Sequence, residues 1–141
     1  MKTPLRTEAF VHFDDGDPAG IVMFANYFRM AHRALELALE ISKIPWSEWY
    51  DHPTWGVPLR HVEADYRQPL KPGQKIWIDI SVIHLGDSSV KLRFELKTKS
   101  EQLLAVVKTT HVFINKSNLK KLSIPNHLRA FLSQHLLAES P

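Results

Sequence analysis

The spacing of hydrophobic and polar positions changes several times along the chain, and each change predicts an element. In Arg6–Phe13, Thr7, Ala9, Val11 and Phe13 alternate with Glu8, Phe10 and His12, a period of two that suits a strand. Asp14-Asp15-Gly16-Asp17-Pro18-Ala19-Gly20 then breaks the alternation with turn-forming residues. From Phe24 to about Ser42 the period becomes helical. Arg29, Arg33, Glu36, Glu40 and Lys43 recur at steps of three and four as one narrow polar stripe, and nearly everything else there is apolar or small. A helix apolar around most of its circumference is expected to be largely surrounded by protein. Ala31, Ala34 and Ala38 would let a sheet approach its axis closely.

The stretch Ile44–Pro58 is rich in Trp and Pro and reads as a connection. Four strands are predicted after it, over Leu59–Gln68, Gln74–Leu85, Ser89–Lys99 and Leu103–Ile114. The third alternates most clearly, with Val90, Leu92, Phe94 and Leu96 set against Lys91, Arg93, Glu95 and Lys97. Turns at Pro72-Gly73, Gly86-Asp87 and Ser100-Glu101 make the strands antiparallel neighbours. Ser123 and Pro125 open a closing helix over Asn126–Leu137. One face of each strand can cover the long helix. The pattern therefore predicts an α+β fold, a curved antiparallel sheet of about five strands wrapped around a long central helix, as one domain over residues 1–141.

Composition narrows the functional classes. With 44% hydrophobic and 23% charged residues the chain is globular. No apolar run is long enough for a membrane-spanning helix, and Met1–Phe10 does not read as a secretory leader. The absence of cysteine excludes disulfides, thiolate metal sites and cysteine nucleophiles, and a cytoplasmic protein is expected. A formal charge of +3 suits an anionic ligand and is too weak to argue for nucleic acid.

Chemistry concentrates between the first strand and the long helix. Asp14, Asp15 and Asp17 fall within four residues, and on composition alone they make a turn in which Pro18 holds Asp17 extended. A calcium loop is a poor match, because the alternating Asp order and the downstream bidentate Glu are missing. His12 with Asp14 supplies half of a metal site, but no second pair at ligand spacing follows, so no metal is expected.

The run Phe13-Asp14-Asp15-Gly16-Asp17-Pro18-Ala19-Gly20-Ile21-Val22-Met23-Phe24-Ala25-Asn26-Tyr27 resembles the signature of hotdog-fold acyl-CoA thioesterases of the 4-hydroxybenzoyl-CoA thioesterase type. Gly56-Val57-Pro58 and the order of elements fit the same family. The resemblance implies hydrolysis of an acyl-CoA thioester, without a cofactor, by Asp17 as nucleophile or as general base. It implies that amides at the helix start, near Phe24 and Ala25, receive the oxyanion. Gly20 gives the backbone freedom for close approach of substrate. Phe24 stands where a related branch has His, which argues against imidazole assistance. Ala25 and Tyr27 are candidate substrate contacts, and Trp46 and Trp55 are candidate linings of an acyl pocket. The acyl groups allowed are 4-hydroxybenzoyl, 1,4-dihydroxy-2-naphthoyl and medium-chain aliphatic.

Coenzyme A brings phosphates that need cations. The turn Leu85–Ser89, where the 4-hydroxybenzoyl branch has a basic cluster, carries none, so Lys116 and Lys120, with Lys121, are the next candidates. A homodimer or homotetramer is expected, with Asp17 and the coenzyme contacts drawn from different subunits. Two other readings remain: a non-catalytic acyl-CoA-binding module, and an enoyl-thioester hydratase or dehydratase using His32. His61, His84 and His111 fall in strands and read as satisfied sheet histidines.

Overall fold

A computed structural model describes residues 2–137; Met1 and residues 138–141, the two ends of the expected domain, lie outside the described residues. Five strands form one antiparallel sheet: β1 (Leu5–Phe10), β3 (Leu59–Tyr66), β4 (Lys75–Leu85), β5 (Ser89–Thr98) and β6 (Leu103–Val112), in the order β1-β4-β5-β6-β3. A second ribbon joins β2 (Trp55–Gly56) to β7 (Ile114–Asn115). The helix α1 (Asn26–Ile41) lies across the concave face, with the short α2 (Trp46–Tyr50) beside it, and α3 (Asn126–Ser133) packs against β4. This is the expected α+β arrangement, but β3 and β4 are not neighbours across Pro72-Gly73: β3 crosses to the edge beside β6, and β4 pairs with β1.

Period-two alternation sets the two faces. Ile78 and Ile80 of β4, Leu92 and Phe94 of β5, and Val107 of β6 point at α1 and are almost fully buried. Against them α1 sets Ala31, Ala34 and Ala38, each 5% exposed or less, so the helix axis comes close to the sheet. It packs most closely on β1 and also meets β4 and β6. Towards β3 a small cavity separates Phe28 and Leu35 from Val62.

Several expectations need correction. α1 is buried along one face only, because a single sheet layer covers one side of it; Leu37 and Ile41 are exposed on the other. β1 stops at Phe10, since Phe13–Asp15 turns into a 3-10 helix. The last helix ends at Ser133 rather than Leu137, where the chain turns so that Leu137 donates its amide to the Val82 carbonyl at 2.8 Å. The Trp- and Pro-rich connection holds α2 and β2, which the pattern did not predict.

Candidate active site

The loop from Asp15 to Val22 is a small folded unit pinned to the start of α1. Asp17 opens a β-turn: its carbonyl accepts the Gly20 amide at 2.9 Å, and its Oδ1 accepts the Ala19 amide at 2.8 Å. Pro18 supplies the fixed φ of the turn, and Gly20 sits at φ +80°, a left-handed conformation that a side chain strains. The Asp17 amide in turn reaches the Ile21 carbonyl at 2.8 Å. Asp17 is half-buried, and its Oδ2 carries no hydrogen bond among the described residues.

Asp15 fixes this unit to the helix. It is 1% exposed. Its carbonyl accepts the Met23 amide and the Asn26 Nδ2 donor, both at 3.0 Å, while its Oδ2 accepts the His12 amide. The Arg33 guanidinium stands 3.9 Å from its Oδ1. His12, Asp14 and Asp15 are grouped closely enough to share a cation, with the positive Arg33 beside them.

The helix start has no side-chain cap. The amides of Asn26, Tyr27 and Phe28 donate to the carbonyls of Met23, Phe24 and Ala25. Those of Phe24 and Ala25 have no partner among the described residues. Two unpaired N–H groups at the positive end of a helix form a receptor for negative charge. Phe24 is 68% exposed, and Ala25 is exposed as well.

Beside them lies a cleft of about 380 Å³, lined by Asp17, Ile21, Phe24, Tyr27, Tyr66 and Arg67 among others. Tyr66 of β3 donates its hydroxyl to the Phe24 carbonyl at 3.0 Å and sets its ring edge-on to Tyr27, with centroids 4.8 Å apart. The Tyr27 hydroxyl accepts the Leu70 amide at 3.3 Å. Burial pushes both phenols up, so they are neutral at physiological pH. Of the candidates, Asp17, Phe24 and Tyr27 thus line one cleft, while Gly20 is held by the Asp17 carbonyl and Ala25 follows Phe24 in the chain.

The remaining candidates lie elsewhere. Trp46 is 54% exposed and lines a groove with Leu37, Glu40 and Ile44 at the C-terminal end of α1. Trp55 stacks on His52 with centroids 3.3 Å apart and donates Nε1 to the Glu48 carbonyl. Lys116 and Lys120 are exposed just after β7 and carry no ion pair among the described residues. They sit near the Leu59 end of β3, roughly 23 Å of strand from Tyr66.

Tyr66, Asn26 and Asp15 were not singled out as site residues. Tyr66 carries the right period for an inward position, but its bond to Phe24 spans 42 residues and is set by the register of β3 on β6.

A second opening in the same seam lies further along α1, a cavity of about 40 Å³ between Phe28 and Leu35 on the helix and Val62 on β3. Seen along β3, the side chains facing α1 are Tyr66, Ala64 and Val62. From Arg60 to Pro69 every residue except Ala64 is exposed, so this edge of the sheet stands open.

Residues 11–132 match the family model described as the thioesterase-like superfamily. The chain is 31% identical to the 1,4-dihydroxy-2-naphthoyl-CoA hydrolase of Nostoc punctiforme, over 86% of this chain and 82% of the relative. It is 30% identical to the enzyme of the same name from Thermosynechococcus vestitus, over 92% and 90%. Its backbone is similar to the crystal structure of a 1,4-dihydroxy-2-naphthoyl-CoA thioesterase from Synechocystis, with a TM-score of 0.85 at 24% identity over 92% of this chain and 96% of that one.

Proposed function

The chain belongs to the thioesterase-like superfamily and is a hotdog-fold acyl-CoA thioester hydrolase, and from that premise we propose that Asp17 carries the hydrolysis of an aromatic acyl-CoA at a seam shared by two copies of the chain. The observation that carries this reading is that the half-buried Asp17 and Phe24 line one cleft, and that the amides of Phe24 and of Ala25 next to it have no partner among the described residues.

In the nucleophilic route, Asp17 Oδ2 attacks the thioester carbon. The carbonyl oxygen takes the negative charge and is received by the Phe24 and Ala25 amides. The C–S bond then breaks, giving an acyl-aspartate anhydride and the coenzyme A thiolate, which water protonates. A second water cleaves the anhydride and restores the carboxylate. In the general-base route, the same oxygen takes a proton from the water that attacks. Both routes need the same two groups, and each amide donor aimed at the developing oxyanion contributes roughly 3 kcal/mol to the barrier reduction.

The acyl group is aromatic. The seam beyond the cleft presents Phe28, Val62 and Phe94, and the relatives named above act on a hydroxylated naphthoyl thioester. From Ala25 to His32 the helix rises about 10 Å, comparable to a fused two-ring acyl group.

The second copy pairs along β3. Leu59, Val62 and Tyr66 are 53%, 41% and 43% exposed there, on an edge with free backbone groups. A two-fold axis beside β3 makes one continuous antiparallel sheet and covers that edge. It also sets the Leu59 end of one copy beside the Tyr66 end of the other. Lys116 and Lys120 of one copy then flank Asp17 of the other and supply cations for the coenzyme phosphates.

The test is free-thiol release by the wild-type protein from benzoyl-, naphthoyl-, hexanoyl- and decanoyl-CoA. Aromatic thioesters are expected to turn over fastest. Equal or faster turnover of the aliphatic ones would overturn the aromatic assignment.

A further inference from the structure

Among the described residues, four buried side-chain polar atoms lack a hydrogen-bond partner: Asp15 Oδ1, Trp49 Nε1, Tyr50 Oη and His111 Nδ1. Native interiors pair nearly all such atoms, so each exception needs a cause. Three of the four gather at the far end of the α1–β3 seam. His111 sets its ring against Trp49, with centroids 5.6 Å apart, and His32 sets its ring against Tyr50 at 5.3 Å. His32 and His111 both line the 40 Å³ cavity.

The rest of that cavity is apolar except for Thr109, whose hydroxyl lies 2.9 Å from His111 Nε2. Thr109 and His111 are two apart on β6 and both face inward, 7% and 6% exposed. Such a pair at the end of an apolar slot has unfilled hydrogen-bonding capacity: the Val57 backbone stands near the imidazole but Nδ1 completes no hydrogen bond among the described residues, and Thr109 Oγ1 retains a lone pair. Burial holds the imidazole at about 4, well below its ordinary value, so it is neutral near pH 7 and acts as a hydrogen-bonding group rather than as a cation. The cavity holds a hydroxyl group and not a whole ring. The ring belongs in the open part of the seam, against Phe28 and Val62.

We infer that Thr109 and His111 are the specificity-determining end of the acyl pocket, where they hydrogen-bond a ring hydroxyl distal to the thioester. This rests on the placement of the acyl group in the seam. An acyl group without that hydroxyl leaves Thr109 with unused capacity, and the penalty falls on it. A 1,4-dihydroxy-2-naphthoyl group, with both hydroxyls on the ring that bears the thioester, is one such group, so the inference sets this chain's preference apart from the substrate in its relatives' names.

The experiment compares kcat/KM for 4-hydroxybenzoyl-CoA against benzoyl-CoA, and for 6-hydroxy-2-naphthoyl-CoA against 2-naphthoyl-CoA. The wild type is expected to favour the hydroxylated member of at least one pair by about 100-fold. His111→Phe and the near-isosteric Thr109→Val are expected to bring that ratio to within about threefold of unity. The ratio is internal to each preparation, so partial loss of folded protein cancels. A wild-type ratio near one on both pairs, or a ratio preserved in both variants, would overturn the inference. Imidazole NMR shifts on adding the free acids read the pocket without turnover. A His111 shift specific to 6-hydroxy-2-naphthoate supports the pocket even if no aromatic thioester is hydrolysed, and equal shifts with 2-naphthoate contradict it.

Discussion

At the β1 edge of the sheet nearly every charge is answered. Arg6 donates through Nε and Nη2 to both oxygens of Asp79, and through Nη1 and Nη2 to both oxygens of Glu101. Lys97 bonds Asp79 at 3.0 Å, Lys99 pairs with Glu8, and both Arg6 and Lys99 lie over the Trp77 ring. Burial raises the Asp79 carboxyl, but the bonds from Arg6 and Lys97 outweigh it and hold the group below the usual carboxylate range. At the β3 edge charges are also paired, Asp65 with Arg67 and Glu63 with Lys91, but the apolar side chains and the polar groups around them are left open. Leu59, Val62 and Tyr66 are exposed, and beside them stand the unpaired Phe24 and Ala25 amides and the buried Thr109–His111 pair. An edge covered by bonded charges offers little to a partner, while exposed apolar side chains and unpaired polar groups support the proposed placing of substrate and second copy at β3.

The sharpest way to break this contrast is Asp17→Asn. The amide keeps an acceptor for Ala19, so the turn survives, while kcat is expected to fall about 10³-fold with the melting temperature unchanged. At the open edge, Val62→Glu sets like charges against each other across the proposed two-fold axis. Sedimentation is expected to show monomers, and turnover to drop roughly 100-fold. Glu8→Gln at the closed edge is expected to change neither.

Asp79→Asn tests the saturated side. It leaves Arg6 and Lys97 without their shared carboxylate and is expected to cost about 2 kcal/mol in thermal unfolding, with kcat intact. The smallest effect is acid sensitivity from His111. Its folded pKa is depressed, so its contribution is present above the unfolded value of 6.5 and is lost as pH falls towards about 4. Between pH 7 and pH 5.5 the wild type is expected to lose about 1 kcal/mol that His111→Phe does not lose.

The elements with a clean period were legible in the chain. β5 was expected over Ser89–Lys99 and runs Ser89–Thr98, and α1 was expected over Phe24–Ser42 and runs Asn26–Ile41. α2 was not legible, because Trp46-Ser47-Glu48-Trp49-Tyr50 is too short to show a period and follows a proline. The exposed back of α1 was missed because small residues read as apolar, although they report close packing on one face only. At the candidate site, the turn at Asp17 and its place before α1 were legible. The placing of Tyr66 and His111 was not, since each is set by a register or a ring contact fixed by the fold. His111 read as a satisfied sheet histidine; it is bonded to Thr109 and has the Val57 backbone beside it, while Nδ1 completes no hydrogen bond among the described residues.

The most direct measurement is a crystal structure with an aroyl-CoA analogue in which a methylene between carbonyl and sulfur blocks hydrolysis while the carbonyl is kept. The account expects its oxygen about 3 Å from the Phe24 and Ala25 amides, with an Asp17 oxygen within about 3.5 Å of the carbonyl carbon. An analogue seated in the Trp46 groove, or one whose carbonyl faces away from those amides, would contradict it.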